Sequence, residues 1–210
     1  MSRFAAAGAV PALIAALLAG TFAARPAQAV VIEFVPANSA GFVGDLFDID
    51  IFVSGLSSGE TAGEIVSAFD LDVLYDPSIL DATSISFGSA LGLADVDTFT
   101  SSIFSSGRLD FANVSLLLNS ELAALQGDSV LLASLTFSAI GVGSSALNFD
   151  TLLPPGIDLV GSDPFARLPI DRAGSALLTV RERATTVPEP GTLLLFGIGL
   201  LGVAAARKRS

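Results

Sequence analysis

The 210-residue chain has no cysteine, no histidine and no tryptophan, and only one tyrosine and one methionine. Without histidine there is no Ser-His-Asp or Cys-His catalytic group and no imidazole metal site. Without cysteine there is no thiolate nucleophile, zinc knuckle, iron–sulfur cluster, disulfide or lipid attachment through an N-terminal cysteine. Positive charge is scarce as well: 10 Lys and Arg face 21 Asp and Glu, a formal net charge of −11. That balance argues against a nucleic-acid partner, because neutralising phosphates needs clustered basic residues. What the chain does have is apolar bulk (51% hydrophobic residues), 20 Gly and 15 Phe.

Much of that apolar bulk lies at the two ends. Arg3 precedes a run of Ala, Leu, Ile and Val that reaches Phe22, and Ala27-Gln28-Ala29 then presents the small-x-small pattern read by signal peptidase. Residues 1–29 are expected to be a signal peptide cleaved after Ala29, with Ala27 and Ala29 as the recognition residues. No twin arginine is present, so the general secretory route is expected. At the other end, Val187-Pro188-Glu189-Pro190-Gly191-Thr192 leads into an apolar run from Leu193 to Ala206, followed by Arg207, Lys208 and Arg209. The run is at or below the ~17 residues a spanning helix needs unless Gly191 and Thr192 join it. Read as a single short transmembrane helix, it would leave the basic cluster on the cytoplasmic side and the preceding residues outside, in agreement with the N-terminal signal.

This ending resembles the PEP-CTERM sorting signal of Gram-negative bacteria, in which a Pro-Glu-Pro motif precedes a short transmembrane helix and a basic tail. Pro188, Glu189 and Pro190 match the motif, and Arg207, Lys208 and Arg209 match the tail. The resemblance implies recognition by an exosortase-type processing enzyme. It also implies an inner-membrane intermediate and delivery to the cell surface or extracellular matrix.

Residues 30–182 form the body, residues 183–190 a linker and residues 191–210 the membrane segment with its basic tail. Setting aside Arg3, Arg25, Glu189, Arg207, Lys208 and Arg209 leaves five basic and 20 acidic residues, a net −15. Apolar residues alternate with polar ones in Phe47–Val53, with Asp48 and Asp50 on the other face, and again in Phe69–Tyr75, with Asp70 and Asp72 opposite the apolar set. Asp76-Pro77-Ser78 ends the second of these strands, since Pro lacks a ladder donor. Further strands are expected at 30–35, 80–87, 108–114, 130–139, 145–152 and 176–181, punctuated by Gly, Ser, Asn and Pro. A short helix is expected over Ser120–Leu125 with Asn119 or Ser120 as N-cap. Many short strands without alternating helices point to an all-β sandwich.

The body resembles the cohesin-like branch of the carbohydrate-binding β-sandwich superfamily. The resemblance rests on Gly44-Asp45 before an alternating strand, on Leu74-Tyr75-Asp76-Pro77-Ser78 with Leu80 soon after, and on Arg108–Ala112 and Leu131–Phe137 as downstream strands. It implies a two-sheet, nine-stranded jelly roll acting as a docking or carbohydrate-associated module with no catalytic residues. The partners it suggests are a surface protein or a polysaccharide.

The residues themselves bear on that choice. Sugar-binding faces usually present exposed Trp or Tyr. There is no Trp, and Tyr75 falls on the core side of its strand, as do Phe47, Phe69, Phe87, Phe111 and Phe137 on theirs. Phe99 and Phe104, in the polar stretch Asp95–Gly107, are the exposed candidates. The pairs Asp48/Asp50 and Asp70/Asp72 either converge into a calcium site or solvate the outer face, and Asp95-Val96-Asp97, in a stretch read as a loop, is a similarly weak calcium candidate. No cofactor is otherwise implied and no metal residues are assigned. A carboxylate-dependent polysaccharide hydrolase is the alternative to a binding module, and needs two carboxyls in one cleft.

Overall fold

A computed structural model describes residues 30–56, 65–151, 156–164, 167–184, 198–199 and 207–208. The body is a two-sheet all-β sandwich. Its first sheet contains β1 (Val30–Val35), β3 (Leu46–Ser54), β5 (Leu80–Phe87), β8 (Ser129–Ala139) and β11 (Ile170–Ala173), in the order β11-β1-β3-β8-β5. The second contains β2 (Asn38–Phe42), β4 (Ala68–Leu74), β6 (Thr98–Ser105), β7 (Arg108–Ser115), β9 (Gly143–Phe149), β10 (Ile157–Val160) and β12 (Ala176–Arg181), in the order β2-β12-β9-β4-β7-β6. β10 lies beside the first half of β4. Pairing is antiparallel except for β1 with β11 and β2 with β12.

The alternating residues fill the space between the sheets. Ile49, Ile51 and Val53 from β3, Phe69, Leu71 and Val73 from β4, and Leu132, Leu135 and Phe137 from β8 are all buried there. Tyr75 is buried as expected, its ring edge-on to Phe137 and its hydroxyl donating to the Ser105 carbonyl at 3.0 Å. Phe87 is only half-buried, tilted against the rings of Phe69 and Phe111 at the margin of the core.

The eight expected strands all form, and four more appear: β2, β6, β10 and β11. The polar stretch Asp95–Gly107 is therefore largely a strand, β6, rather than a loop. The helix α1 spans Asn119–Leu125 with Leu118 at the N-cap, one residue earlier than expected. Glu121 secures that end, its carboxylate accepting the Leu118 N–H at 2.8 Å, so the N-terminus is held by back-bonding from the first turn.

The signal-cleavage residues Ala27 and Ala29, the motif Pro188-Glu189-Pro190 and Arg209 lie outside the described residues. Arg207 and Lys208 are described and exposed. Among the described residues no helix is long and apolar enough to cross a membrane.

Candidate docking face

The outer surface of the second sheet is set by register. Residues directly opposite one another in an antiparallel ladder project to the same face. Val114 pairs with Phe99 on β6 and Ala68 on β4, Ala112 with Ser101 and Asp70, Asp110 with Ile103 and Asp72, and Arg108 with Ser105 and Leu74. On the other side of β4, Asp158 of β10 pairs with Asp70. These rows build a face with an apolar margin along β6 and β7 and an acidic centre on β4.

Ion pairs hold the acidic centre. Asp72 is almost completely buried, and Arg108 grips it bidentately, Nε to Oδ1 at 2.9 Å and Nη2 to Oδ2 at 2.7 Å. That hydrogen bonding raises the guanidinium further above its ordinary range, aided by Asp110 and Asp150. The contact is diagonal: Arg108 sits opposite Leu74 and reaches back two residues, tying β4 to β7. Arg167 similarly meets Asp158 at 2.7 Å. Among the described residues Asp70 has no such basic partner; partial burial and then the neighbouring Asp110, Asp72 and Asp158 push its carboxyl above the usual range, with Arg108 opposing.

The two aspartate pairs therefore do not meet. Asp48 and Asp50 belong to β3 in the first sheet, where Thr136 Oγ1 and Ser134 Oγ donate to them, whereas Asp70 and Asp72 belong to the second sheet. A calcium site shared between the pairs is ruled out by this placement. Asp72 also departs from a solvating role, since the bulk of Arg108 covers it. At Asp95-Val96-Asp97, Asp97 accepts the Leu93 N–H at 3.1 Å and Asp95 adopts φ 61°, so the segment forms a tight turn into β6. Among the described residues no cluster of three or more acidic side chains has the arrangement to hold a metal.

Phe99 and Phe104 are both exposed, but they alternate along β6 and so point to opposite faces. Phe99 joins Ile103 and Val114 on the outer face. Leu93, Val96, Leu116 and Leu118, exposed around the turn that leads into β6 and the end of β7, extend this margin. The Leu116 N–H donates to the Asp97 carbonyl at 2.7 Å, so the two segments are directly joined. Sequence reasoning singled out Phe99 but missed Ile103, Val114 and Arg108, whose grouping appears only once β6 and β7 are paired. β6 is also the end strand of its sheet among the described residues, with one ladder edge unpaired.

Comparison of the sequence with curated proteins finds no match. Among solved structures, a type II cohesin domain from the cellulosome of Acetivibrio cellulolyticus superposes with a TM-score of 0.57 at 18% identity, covering 71% of this chain and 95% of the cohesin. A cohesin from Clostridium acetobutylicum gives 0.53 at 19% identity, over 73% of this chain and 93% of that one. The sixth cohesin of Acetivibrio cellulolyticus scaffoldin B, solved in complex with a Cel5 dockerin, gives 0.53 at 14% identity, over 73% and 99%. The body thus has the cohesin-like β-sandwich fold, and residues 186–209 match the PEP-CTERM protein-sorting motif.

Proposed function

We propose that this chain is an exported, surface-sorted protein whose sandwich is a non-catalytic module that docks a protein partner on the outer face of β9, β4, β7 and β6. Residues 1–29 direct export and are removed after Ala29. Pro188, Glu189 and Pro190, the apolar run and Arg207, Lys208 and Arg209 hold the chain in the inner membrane until an exosortase-type enzyme releases it to the cell surface or matrix of a Gram-negative bacterium. The body, residues 30–182, is the functional domain, and residues 183–190 are the linker.

The observation that carries the docking reading is the exposed apolar margin of Phe99, Ile103 and Val114 on one sheet face, beside a centre fixed by Arg108 and Asp72. Apolar groups ringed by charge favour a protein surface. A partner with an apolar strip flanked by basic residues fits both parts. The dockerin complex of a structurally similar cohesin supports a protein rather than a glycan. So does the burial of Tyr75, the one tyrosine in a chain without tryptophan. The hydrolase reading has less support, because Asp72, the carboxyl beside the raised Asp70, is engaged bidentately by Arg108 and so is not available as an acid or base.

The test has two parts. Intact-mass measurement of the protein from its native host should show loss of residues 1–29 and a new C-terminus near Pro188. Immobilised wild-type protein and its Ile103→Asp variant should then be compared for retention of the host's surface proteins. A protein held by the wild type and lost from the variant supports the assignment. Equal retention by both, or retention of polysaccharide and no protein, rejects it.

A further inference from the structure

Three chain segments lie side by side at the end of the sandwich where β12 finishes. They are the β2–β3 turn at 43–45, the β8–β9 turn at 140–142, and residues 181–184. The Val43 N–H donates to the Arg181 carbonyl at 3.0 Å and the Gly44 N–H to the Ala139 carbonyl at 2.8 Å, while Val180 pairs with Gly143. Turns normally carry polar residues. Here Phe42, Val43, Leu46, Ile140 and Val142 are all exposed, Leu46 at 64% and Val142 at 61%. They form a second apolar patch, separate from the margin at Phe99.

The direction in which the chain leaves the body identifies what covers this patch. Arg183 binds Asp45 at 2.5 Å, and its guanidinium carbon lies 5.3 Å from the centre of the Phe42 ring, so the chain departs against the patch itself. The apolar run begins ten residues later, at Leu193. Ten residues reach at most about 35 Å. The 11-residue strand β8 alone is about 36 Å long. A bilayer holding the run is therefore met first by this end of the body, since the far end, where Leu118 is exposed, would reach it only with the linker near full extension. The charge at this end is less one-sided than that of the body as a whole: Arg181 and Arg183 stand against Asp45, Glu182 and, on the adjoining 76–79 turn, Asp76.

We infer that this end is a lipid-contacting surface, with Phe42, Val43, Leu46, Ile140 and Val142 entering the headgroup region while the run 193–206 sits in the bilayer. The inference rests on the reading of that run as a membrane segment. Tethering supplies the high local concentration that lets a small apolar patch engage. Docking would hold the sandwich upright, with its outer sheet face perpendicular to the membrane and open to a partner.

The absence of cysteine makes the test direct. Single-cysteine variants of the chain carrying its C-terminal segment, Leu46→Cys, Val142→Cys, Leu118→Cys and Gly199→Cys, are labelled with the environment-sensitive fluorophore NBD. They are then reconstituted into phosphatidylethanolamine/phosphatidylglycerol vesicles. Emission is expected to shift to the blue at 199, 142 and 46 and to stay water-like at 118, with headgroup spin-labelled lipid quenching 142 and 46. A buried signal at 199 with water-like emission at 142 and 46 overturns the lipid contact and leaves the membrane segment standing. Water-like emission at 199 overturns both. A shift at 118 equal to that at 142 indicates indiscriminate adsorption and also overturns the end-on contact.

Discussion

Replacing Arg108 with Met keeps most of the side-chain stem and removes only the charged fork, which isolates what that fork does. Asp72, 1% exposed, would be left as a buried carboxylate with Asp70 and Asp110 nearby. Removing one partner of a fully buried pair costs about 3–5 kcal/mol. The Arg108 side chain is 31% exposed, so water already screens part of the attraction, and the expected loss is about 2–3 kcal/mol. For a body of this size, that corresponds to a fall in Tm of roughly 5–10 °C. Neutralising the orphan should recover part of the loss. The double variant Arg108→Met/Asp72→Asn is expected to be at least about 1 kcal/mol more stable than the sum of the two single changes predicts. Urea unfolding of the four proteins measures the cycle. A loss below about 0.5 kcal/mol for Arg108→Met, or strict additivity, would show that the pair adds little to the β4–β7 ladder.

Two further outcomes follow from other contacts. The buried Gln126 side chain accepts the Val66 N–H at 2.8 Å and donates to the carbonyls of Val66 at 2.6 Å and Ala90 at 3.1 Å, so Gln126→Ala strands buried polar groups. A loss of about 2–3 kcal/mol is expected, with faster hydrogen exchange at the Val66 amide; unchanged protection there would contradict the assignment. The Asp70 carboxyl is raised in the folded state by burial and by Asp110, Asp72 and Asp158, so its ionised form carries a penalty above that raised value. The penalty disappears as pH falls toward the ordinary 3.8. Asp70→Asn should accordingly stabilise the protein at pH 7, by about 0.5 kcal/mol given its exposure, and by less at pH 4. An equal gain at both pH values in urea titrations would remove electrostatics as the cause.

The strands that period-two alternation identifies are those with one face in the core. β3 and β4 carry branched and aromatic residues at every second position, β8 does so on either side of a one-residue shift at Leu132–Ala133, and the boundaries of β1, β5 and β12 agree residue for residue with the expected ranges. β6, Thr98–Ser105, escaped because the five-stranded sheet does not cover it: only Thr98 is buried, and the remaining residues need only pair with β7. β2, rich in small and polar residues, and the four-residue β10 and β11 owe their extended form to partners distant in sequence, which no local pattern records. The candidate face was legible to the same degree. Phe99 stood out as an aromatic in a polar stretch, but Arg108 reached Asp72 only through the diagonal register of β4 on β7, and Ile103 and Val114 were ordinary strand residues until β6 folded beside them.

The two parallel pairings bear on when the fold can close. β1 and β2 occupy residues 30–42, and their parallel partners β11 and β12 occupy residues 170–181, so the first strands of the body wait for the last. A chain emerging from its N-terminus exposes β1 through β9 with the slot between β2 and β9 still open, and only Ala176–Arg181 fills it. Contacts of such separation are slow to form. Completion of the sandwich thus awaits the segment just before residues 186–209, which match the sorting motif. Chains interrupted before residue 176 would keep two open sheet edges, a ready substrate for aggregation or proteolysis rather than for sorting.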